Sequence, residues 1–242
     1  MPFNKPVVLI PARMESIRFP GKPLAPILGL PMVIYCAQNA VSSGYATFIC
    51  TDSQIIIEAA KNYGIETIKT PSFLTGTDRI NWASKQIDAE YLINLQGDEP
   101  LINSEAIIEI GNNLINTKNN LNCIFNGLID MDNESAYDPN IVKAVVRLDK
   151  TIAYLSRKAI RNNSQSVACY IKQLGLYAFH KTALDSFSKL EQSPLELSEK
   201  IEMLRWIDNS KDLIAVKLNT RSVSVDTPED LLQVEKMLLD KV

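Results

Sequence analysis

The sequence predicts an α/β fold: a doubly wound, mostly parallel sheet with a small antiparallel lobe. Three observations lead there. Short apolar runs alternate with stretches of helical period through the first half of the chain, the pattern of a parallel sheet covered on both faces. The helical stretches carry start and stop residues of their own. The second half changes to strand-like runs separated by only short spacers, which suggests antiparallel pairing. With 242 residues, 46% of them hydrophobic, the chain can bury a real core. One domain over 1–242 is expected, with the lobe at roughly 123–180 and no repeat or linker.

Taken in order, "VVLIPA" is a strand, and "PMVIYCAQNAVSSG" is a helix with Pro31 at its start and Gly44 at its end. "ATFICTD" is the next strand, "SQIIIEAAKNYG" the next helix and "IETIKT" a third strand. "TGTDRINWASKQI" reads as a helix entered through a turn at Gly76, and "YLINLQGDEP" as a strand ended by its own polar residues. The helix "NSEAIIEIGNNLIN" follows, then the solvated turn "TKNNLN". Beyond it, "CIFNGLID", "IVKAVVRLD", "TIAYLSRK" and "YIKQLGLYAF" are strand-like. Two helices come next, "HKTALDSFSKL" and "SPLELSEKIEMLRWIDN", then the strand "IAVKLN". The last helix, "TPEDLLQVEKMLLDKV", has Thr227 as its cap, Pro228 in the first position and Asp230 three beyond the cap.

Composition excludes several functions. A formal net charge of -3 and a pI near 5.4 give no general affinity for nucleic acid or an anionic membrane surface. Cys36, Cys50, Cys123 and Cys169 form no C-x-x-C pair, which disfavours a zinc or redox motif and suits buried thiols of a reducing compartment. The N-terminal apolar run is short and broken by Pro11, unlike a signal peptide or a membrane span. A soluble cytoplasmic protein is the expectation.

Clustered positive charge therefore has a local purpose. "IPARMESIRFPGKPL" places Arg13, Arg18 and Lys22 directly after the first strand, where ligands of open α/β sheets bind. Arginine offers a bidentate fork and lysine a point charge, and both suit a polyphosphate. A solvated basic loop has the same composition; the position after the first strand argues for the anion. Gly21-Lys22 precedes Pro23, so this is no Walker loop, and no G-x-G-x-x-G follows any strand.

In "NLQGDEP", Asp98 stands where a strand end could hold a hard cation such as Mg²⁺, although Gly-Asp and Glu-Pro are also ordinary turn chemistry. In "VSVDTPED", Asp226 precedes the capped helix: a helix lead-in, or the second carboxylate a shared metal site needs. Asp130-Met131-Asp132 is a D-x-D that would bind metal in a nucleotide-sugar glycosyltransferase, but that reading leaves the basic loop unexplained.

Together these segments resemble the cytidylyltransferases, and most closely the 3-deoxy-manno-octulosonate cytidylyltransferase (CMP-Kdo synthetase) family. The likeness runs through "IPARMESIRFPGKPLAPILGLPMV", "TD" at 51–52, "TGTDRI", "INLQGDEPLI", "DPNIVKAVV", "YLSRKAI", "LGLYAF", "SPLE", "IEMLR" and "VDTPEDL" in order. It implies a homodimer of nucleotidyltransferase fold, with the antiparallel lobe serving dimerisation and sugar binding. It also implies magnesium-dependent transfer of CMP from CTP to the 2-hydroxyl of 3-deoxy-manno-octulosonate (Kdo), releasing pyrophosphate, for lipopolysaccharide synthesis. Arg13 and Lys22 would hold the triphosphate, and Thr75, Thr77 and Arg79 would lie beside the nucleotide. Asp98 and Asp226 would be the metal carboxylates, catalytic together with Lys22. Gln96, Arg157, Gln173, Tyr177 and Glu202 would face the sugar.

The chain departs from the family pattern at the sugar side. Gln173 stands where a histidine is usual and Met203 where a glutamine is usual, the segment after "SRKAI" is short, and Arg161 matches only loosely. An 8-amino analogue of Kdo or a related sugar acid is the alternative substrate, and a binding protein without activity is the non-enzymatic one. The lone histidine, His180, lies outside these motifs and reads as a surface or cap residue.

Overall fold

The computed structural model describes residues 3–16, 18–117, 121–159 and 170–240; Arg161 and Cys169 lie outside them. The chain starts in the middle of its sheet. β1 (Val7–Ala12) is buried at every position, as a central strand with both faces covered must be. Its alternate residues feed two cores, Val8 and Ile10 on one face, Val7 and Leu9 on the other. A two-residue hairpin, β2 (Pro26–Ile27) and β3 (Leu30–Pro31), leads into α1 (Met32–Val41). Then come β4 (Ala46–Thr51), α2 (Gln54–Asn62), β5 (Glu66–Lys69), α3 (Gly76–Ser84), β6 (Tyr91–Leu95) and α4 (Ser104–Asn116). Ser53, Thr75 and Asn103 cap α2, α3 and α4 through their side-chain oxygens.

The second half adds β7 (Ile124–Met131), β8 (Lys143–Val146), β9 (Ile152–Ser156), β10 (Tyr170–His180), α5 (Lys181–Phe187), α6 (Pro194–Glu199), α7 (Leu204–Asp208), β11 (Leu213–Lys217) and α8 (Pro228–Leu239). The main sheet runs β11-β7-β10-β6-β1-β4-β5. All its strands are parallel except β10, which is antiparallel to both β6 and β7. Beside this path β8 pairs antiparallel with β10, and β9 pairs antiparallel with β8. β7 and most of β10 thus belong to the main sheet, and the antiparallel extension proper is β8 and β9 with the first residues of β10. Residues of α1 and α4 cover one face, and those of α3, α5 and α7 the other.

One predicted helix divides. "SPLELSEKIEMLRWIDN" was expected to be continuous, but Lys200 adopts φ 55°, a left-handed conformation, and separates α6 from α7. Nothing in the local composition marks the break, since lysine favours neither this conformation nor helix ends of this kind. The break turns Glu202 toward α3, and its contacts there belong to tertiary structure. Elsewhere the punctuation agrees with the sequence. Thr227 and Asp230 form a full capping box with Pro228 in the first turn. The His180 ring accepts from the Thr182 amide and caps α5.

From β1 the chain proceeds outward to β4 and β5, then crosses back to β6 on the other side of β1. That reversal opens a crevice at the carboxyl ends of β1 and β6.

Candidate active site

Lys22 lies at the centre of that crevice. Gly21, at φ 73°, supplies the left-handed turn that starts a 3-10 segment at Lys22, a conformation that costs glycine little. The Lys22 ammonium donates to Asp98 Oδ2 at 2.7 Å, to the Val225 carbonyl at 2.9 Å and to Asp226 Oδ1 at 3.2 Å. All three of its donors are engaged. Burial alone would push its pKa down, but the carboxylates of Asp98 and then Asp226 outweigh it and hold the ammonium above the usual lysine value. Arg18 adds a second cation, 2.9 Å from the other oxygen of Asp226. That guanidinium is 58% exposed, so solvent screens the pair.

Two loops far apart in sequence bring the carboxylates together. Asp98 follows β6 directly. Asp226 ends an extended segment, and the Val225 amide donates to the Asp98 carbonyl at 2.9 Å. The capping box of α8 reaches back as well: the Asp230 carboxylate accepts from the amides of Asp226 and Thr227 at 2.9 and 2.8 Å. Among the described residues no group of three or more acidic, histidine or cysteine side chains could hold a metal. A hard cation here would take Asp98 and Asp226 from the protein and fill its shell with phosphate and water oxygens, as magnesium commonly does.

The surrounding cleft has a volume of about 1150 Å³. Of the residues that sequence assigned to the nucleotide, metal and sugar, all but Thr77 line it. Their roles in the fold differ. Arg13 reaches the Leu74 carbonyl at 3.3 Å and is otherwise exposed to the cleft. Thr75 caps α3. Arg79 is only 2% exposed and is engaged by Thr70 Oγ1 at 2.6 Å and Asp52 at 3.2 Å, so it ties α3 to the end of β4. Thr77 lies behind the wall, where its hydroxyl and amide, with the Gly76 amide, donate to the Glu202 carboxylate. Glu202 therefore sits at the N-terminus of α3, where a helix favours negative charge. Burial pushes its carboxyl pKa up, against these hydrogen bonds, which favour the ionised form.

Burial and then the nearby Glu202 push the Tyr177 phenol far above its ordinary value, so it stays protonated. Gln173 is 8% exposed and donates to Asn126 Oδ1 at 2.8 Å. Arg157 does not present a free fork: its guanidinium donates to the carbonyls of Glu199 at 3.0 Å and of Pro139 and Asn140 at 3.3 Å. Met203 is 1% exposed and belongs to the apolar core. In the D-x-D, Asp130 pairs with Lys217 at 2.7 Å and Asp132 accepts from Ser135, an arrangement of surface ion pair and turn.

The sequence model of the cytidylyltransferase family matches residues 7–214, which includes β1, β6 and the basic loop. The chain belongs to the cytidylyltransferase family. It is 36% identical over 249 aligned residues to a 3-deoxy-manno-octulosonate cytidylyltransferase of Chloroherpeton thalassium, an alignment covering 98% of this chain and 99% of the relative. A protein of the same name from Wolinella succinogenes is 34% identical, with coverage of 97% and 100%. Among solved structures, a CMP:2-keto-3-deoxy-manno-octonic acid synthetase complexed with CTP superposes with a TM-score of 0.90 at 30% identity, covering 99% of this chain and 100% of that one. UDP-glucose pyrophosphorylase, at a TM-score of 0.70 and 14% identity, shares the fold.

As a cytidylyltransferase the chain is a nucleotidyltransferase enzyme. Cys36, Cys50 and Cys123 are buried; burial raises Cys50 to about 12 and Cys123 to about 11. Among the described residues no helix is long and apolar enough to cross a membrane. Sequence reasoning gave no role to two polar residues: Asp52, the partner of Arg79, and Glu99, which lines the cleft and is 1% exposed. The clue to Glu99 was the alternation in Ser222-Val223-Ser224-Val225, which in an extended chain puts both hydroxyls on one side.

Proposed function

We propose that this cytidylyltransferase joins CTP to the 2-hydroxyl of Kdo, giving CMP-Kdo and pyrophosphate for lipopolysaccharide synthesis. The observation that carries the reading is the convergence of Lys22, Asp98 and Asp226 in the cleft at the sheet's switch point. The full-length likeness to enzymes named for Kdo supports the sugar.

The reaction is an in-line displacement at the α-phosphorus, with the sugar hydroxyl as nucleophile and pyrophosphate as leaving group. Arg13 binds the triphosphate by charge and hydrogen bonding, and Lys22, whose donors are held by Asp98, Asp226 and Val225, contributes positive charge. The α3 turn with Thr75, Thr77 and Arg79 shapes the nucleotide side, and Gln96, Arg157, Gln173, Tyr177 and Glu202 form the sugar side. Positioning and charge neutralisation carry the rate, so no dedicated general base is required. Asp98 and Asp226 would hold Mg²⁺, which when bound neutralises phosphate charge and lowers the pKa of a coordinated hydroxyl. Their convergence on a single ammonium suits that role, because groups that share one cation can share another. In this reading the enzyme is a cytoplasmic homodimer. Exposed Val145 on β8 and Leu148 in the turn between β8 and β9 supply apolar surface for association, which sedimentation velocity would test.

Kdo is preferred to an amino analogue. An added ammonium would need a new acceptor, yet Gln173 is neutral and tied to Asn126, and Met203 is packed in the core. Pyrophosphate release from CTP with a panel of 2-keto-3-deoxy sugar acids tests the assignment. Wild-type enzyme that turns over an amino analogue at least about tenfold better than Kdo, a difference of about 1.4 kcal/mol, would overturn it.

Two further outcomes are expected. Arg13→Ala and Lys22→Ala should each weaken CTP binding by about 1.5–3 kcal/mol in calorimetry without altering preference among sugar acids. Unchanged dissociation constants in both would remove the basic loop from the site. Met203→Gln, which puts an amide among apolar side chains, should destabilise the fold by about 1–3 kcal/mol in chemical denaturation. A variant as stable as wild type would mean that the new amide reaches the cleft.

A further inference from the structure

Glu99 has no task in the mechanism above, yet it is buried at the wall of the cleft. Its Oε1 accepts from the Gly175 amide at 3.0 Å and from the Ser224 hydroxyl at 2.6 Å, and its Oε2 accepts from the Ser222 hydroxyl at 2.7 Å. Burying a carboxylate is expensive, and a neutral side chain would fill the same space at lower cost. Short hydrogen bonds to a charged acceptor are strong and hold their partners firmly. The location of those partners suggests what the charge is for.

Ser222 and Ser224 lie on the segment that ends at Asp226. Their alternation with Val223 and Val225 turns the hydroxyls to Glu99 and packs the valines with Ile27, Met32 and Leu101. Gly175 lies in the stretch of β10 where its pairing with β7 shifts, between Gln173 and Tyr177. Its amide donates to Glu99, and its carbonyl accepts from the Gln96 amide at 2.8 Å. A Cβ at this position would stand 2.8 Å from Gln96 Cβ and 3.1 Å from Glu99 Cγ, so only glycine allows the approach. Lys172 secures the same segment from its other side by donating to the Ser222 carbonyl at 2.9 Å.

We propose that Glu99 is a positioning residue: it clamps the segment bearing Asp226 to the turn bearing Asp98, so setting the spacing of the two carboxylates, and ties both to the strand bearing Gln173 and Tyr177. What the carboxylate pair does rests on the transferase reading; the clamp itself does not.

The test compares wild type, Glu99→Ala and Glu99→Gln. Glutamine keeps one acceptor for Gly175 and Ser224, while its amide can donate to a Ser222 hydroxyl that turns to accept. The first measurement is binding of Mn²⁺, followed by electron paramagnetic resonance with CTP present. Glu99→Ala should bind it about ten- to a hundredfold more weakly, and Glu99→Gln should recover most of the loss. CTP affinity without metal should fall far less than Mn²⁺ affinity in both, because Arg13, which meets the Leu74 carbonyl, lies outside the clamp. In turnover, kcat of the alanine variant should fall by about a hundredfold with little change in KM for CTP. Wild-type Mn²⁺ affinity in Glu99→Ala, or a glutamine variant as defective as alanine, would overturn the proposal. Should Glu99→Ala fail to fold, Ser222→Ala/Ser224→Ala removes two of the three clamp bonds from the other side, with the same expectations. Failure of the transferase reading would appear separately, as wild-type protein that binds Mn²⁺ with CTP but releases no pyrophosphate with Kdo.

Discussion

Asp98→Asn and Asp226→Asn should each lower kcat by about a thousandfold or more at saturating magnesium, CTP and Kdo, while the fold survives. Either change removes one of the two negative charges that meet at Lys22. In the proposed reaction the lost interaction would be one made chiefly in the transition state, where charge on the transferring phosphoryl group must be neutralised, so the loss is expected in kcat. The two carboxylates are 29% and 25% exposed, so an amide in their place keeps contact with water. Lys22 also retains one carboxylate in each variant, and thermal midpoints within a few degrees of wild type are expected. Pyrophosphate release under single-turnover conditions gives the measurement. Full activity in either variant would take that residue out of the catalytic assignment.

Glu196→Ala should be the most damaging change away from the chemistry. Glu196 and Arg205 are 3% exposed each and form a two-pronged pair, with Arg205 Nε at 2.7 Å and Nη2 at 2.6 Å from the carboxylate oxygens. The guanidinium also stacks on the Phe187 ring, 4.7 Å from its centre. These hydrogen bonds to Glu196 hold the Arg205 pKa above its usual value. Removing the carboxylate leaves a buried cation whose remaining partner, Asp78, is 3.9 Å away. Such a loss costs about 3–5 kcal/mol, which in a chain of this size lowers the melting temperature by about 6–20 °C. Because the pair joins α6 to α7 across the Lys200 break, it also holds Glu202 against α3. The double variant Glu196→Met/Arg205→Met should recover stability relative to the single change, since it leaves no unpaired charge. A single variant as stable as wild type would show that the pair adds nothing to the fold.

The sequence by itself determined what depends on neighbours along the chain. The short, unbroken apolar run "VVLIPA" marked a strand covered on both faces, and β1 is that strand. Thr227, Pro228 and Asp230 marked the start of α8, because a capping box needs only three consecutive positions beyond its cap. The place of Arg13 and Lys22 after the first strand indicated the crevice, since in open α/β sheets loops at strand ends converge. The motif order indicated the family.

Tertiary structure decided everything that depends on partners distant in sequence. Lys22 meets residues 76 and 204 positions away, and no local pattern records which oxygen an ammonium will reach. The left-handed turn at Lys200 opposes the local helical pattern and goes with the contacts of Glu196 and Glu202. Arg79 and Arg157 read alike as free cations facing a ligand, yet the fold commits one to Asp52 and the other to main-chain carbonyls. Glu99 read as part of a turn, and packing made it a buried acceptor with three donors. The physical reason is common to all four: periodicity and capping act over a few residues, whereas the partner of a charged group is chosen by desolvation and geometry once the chain has folded.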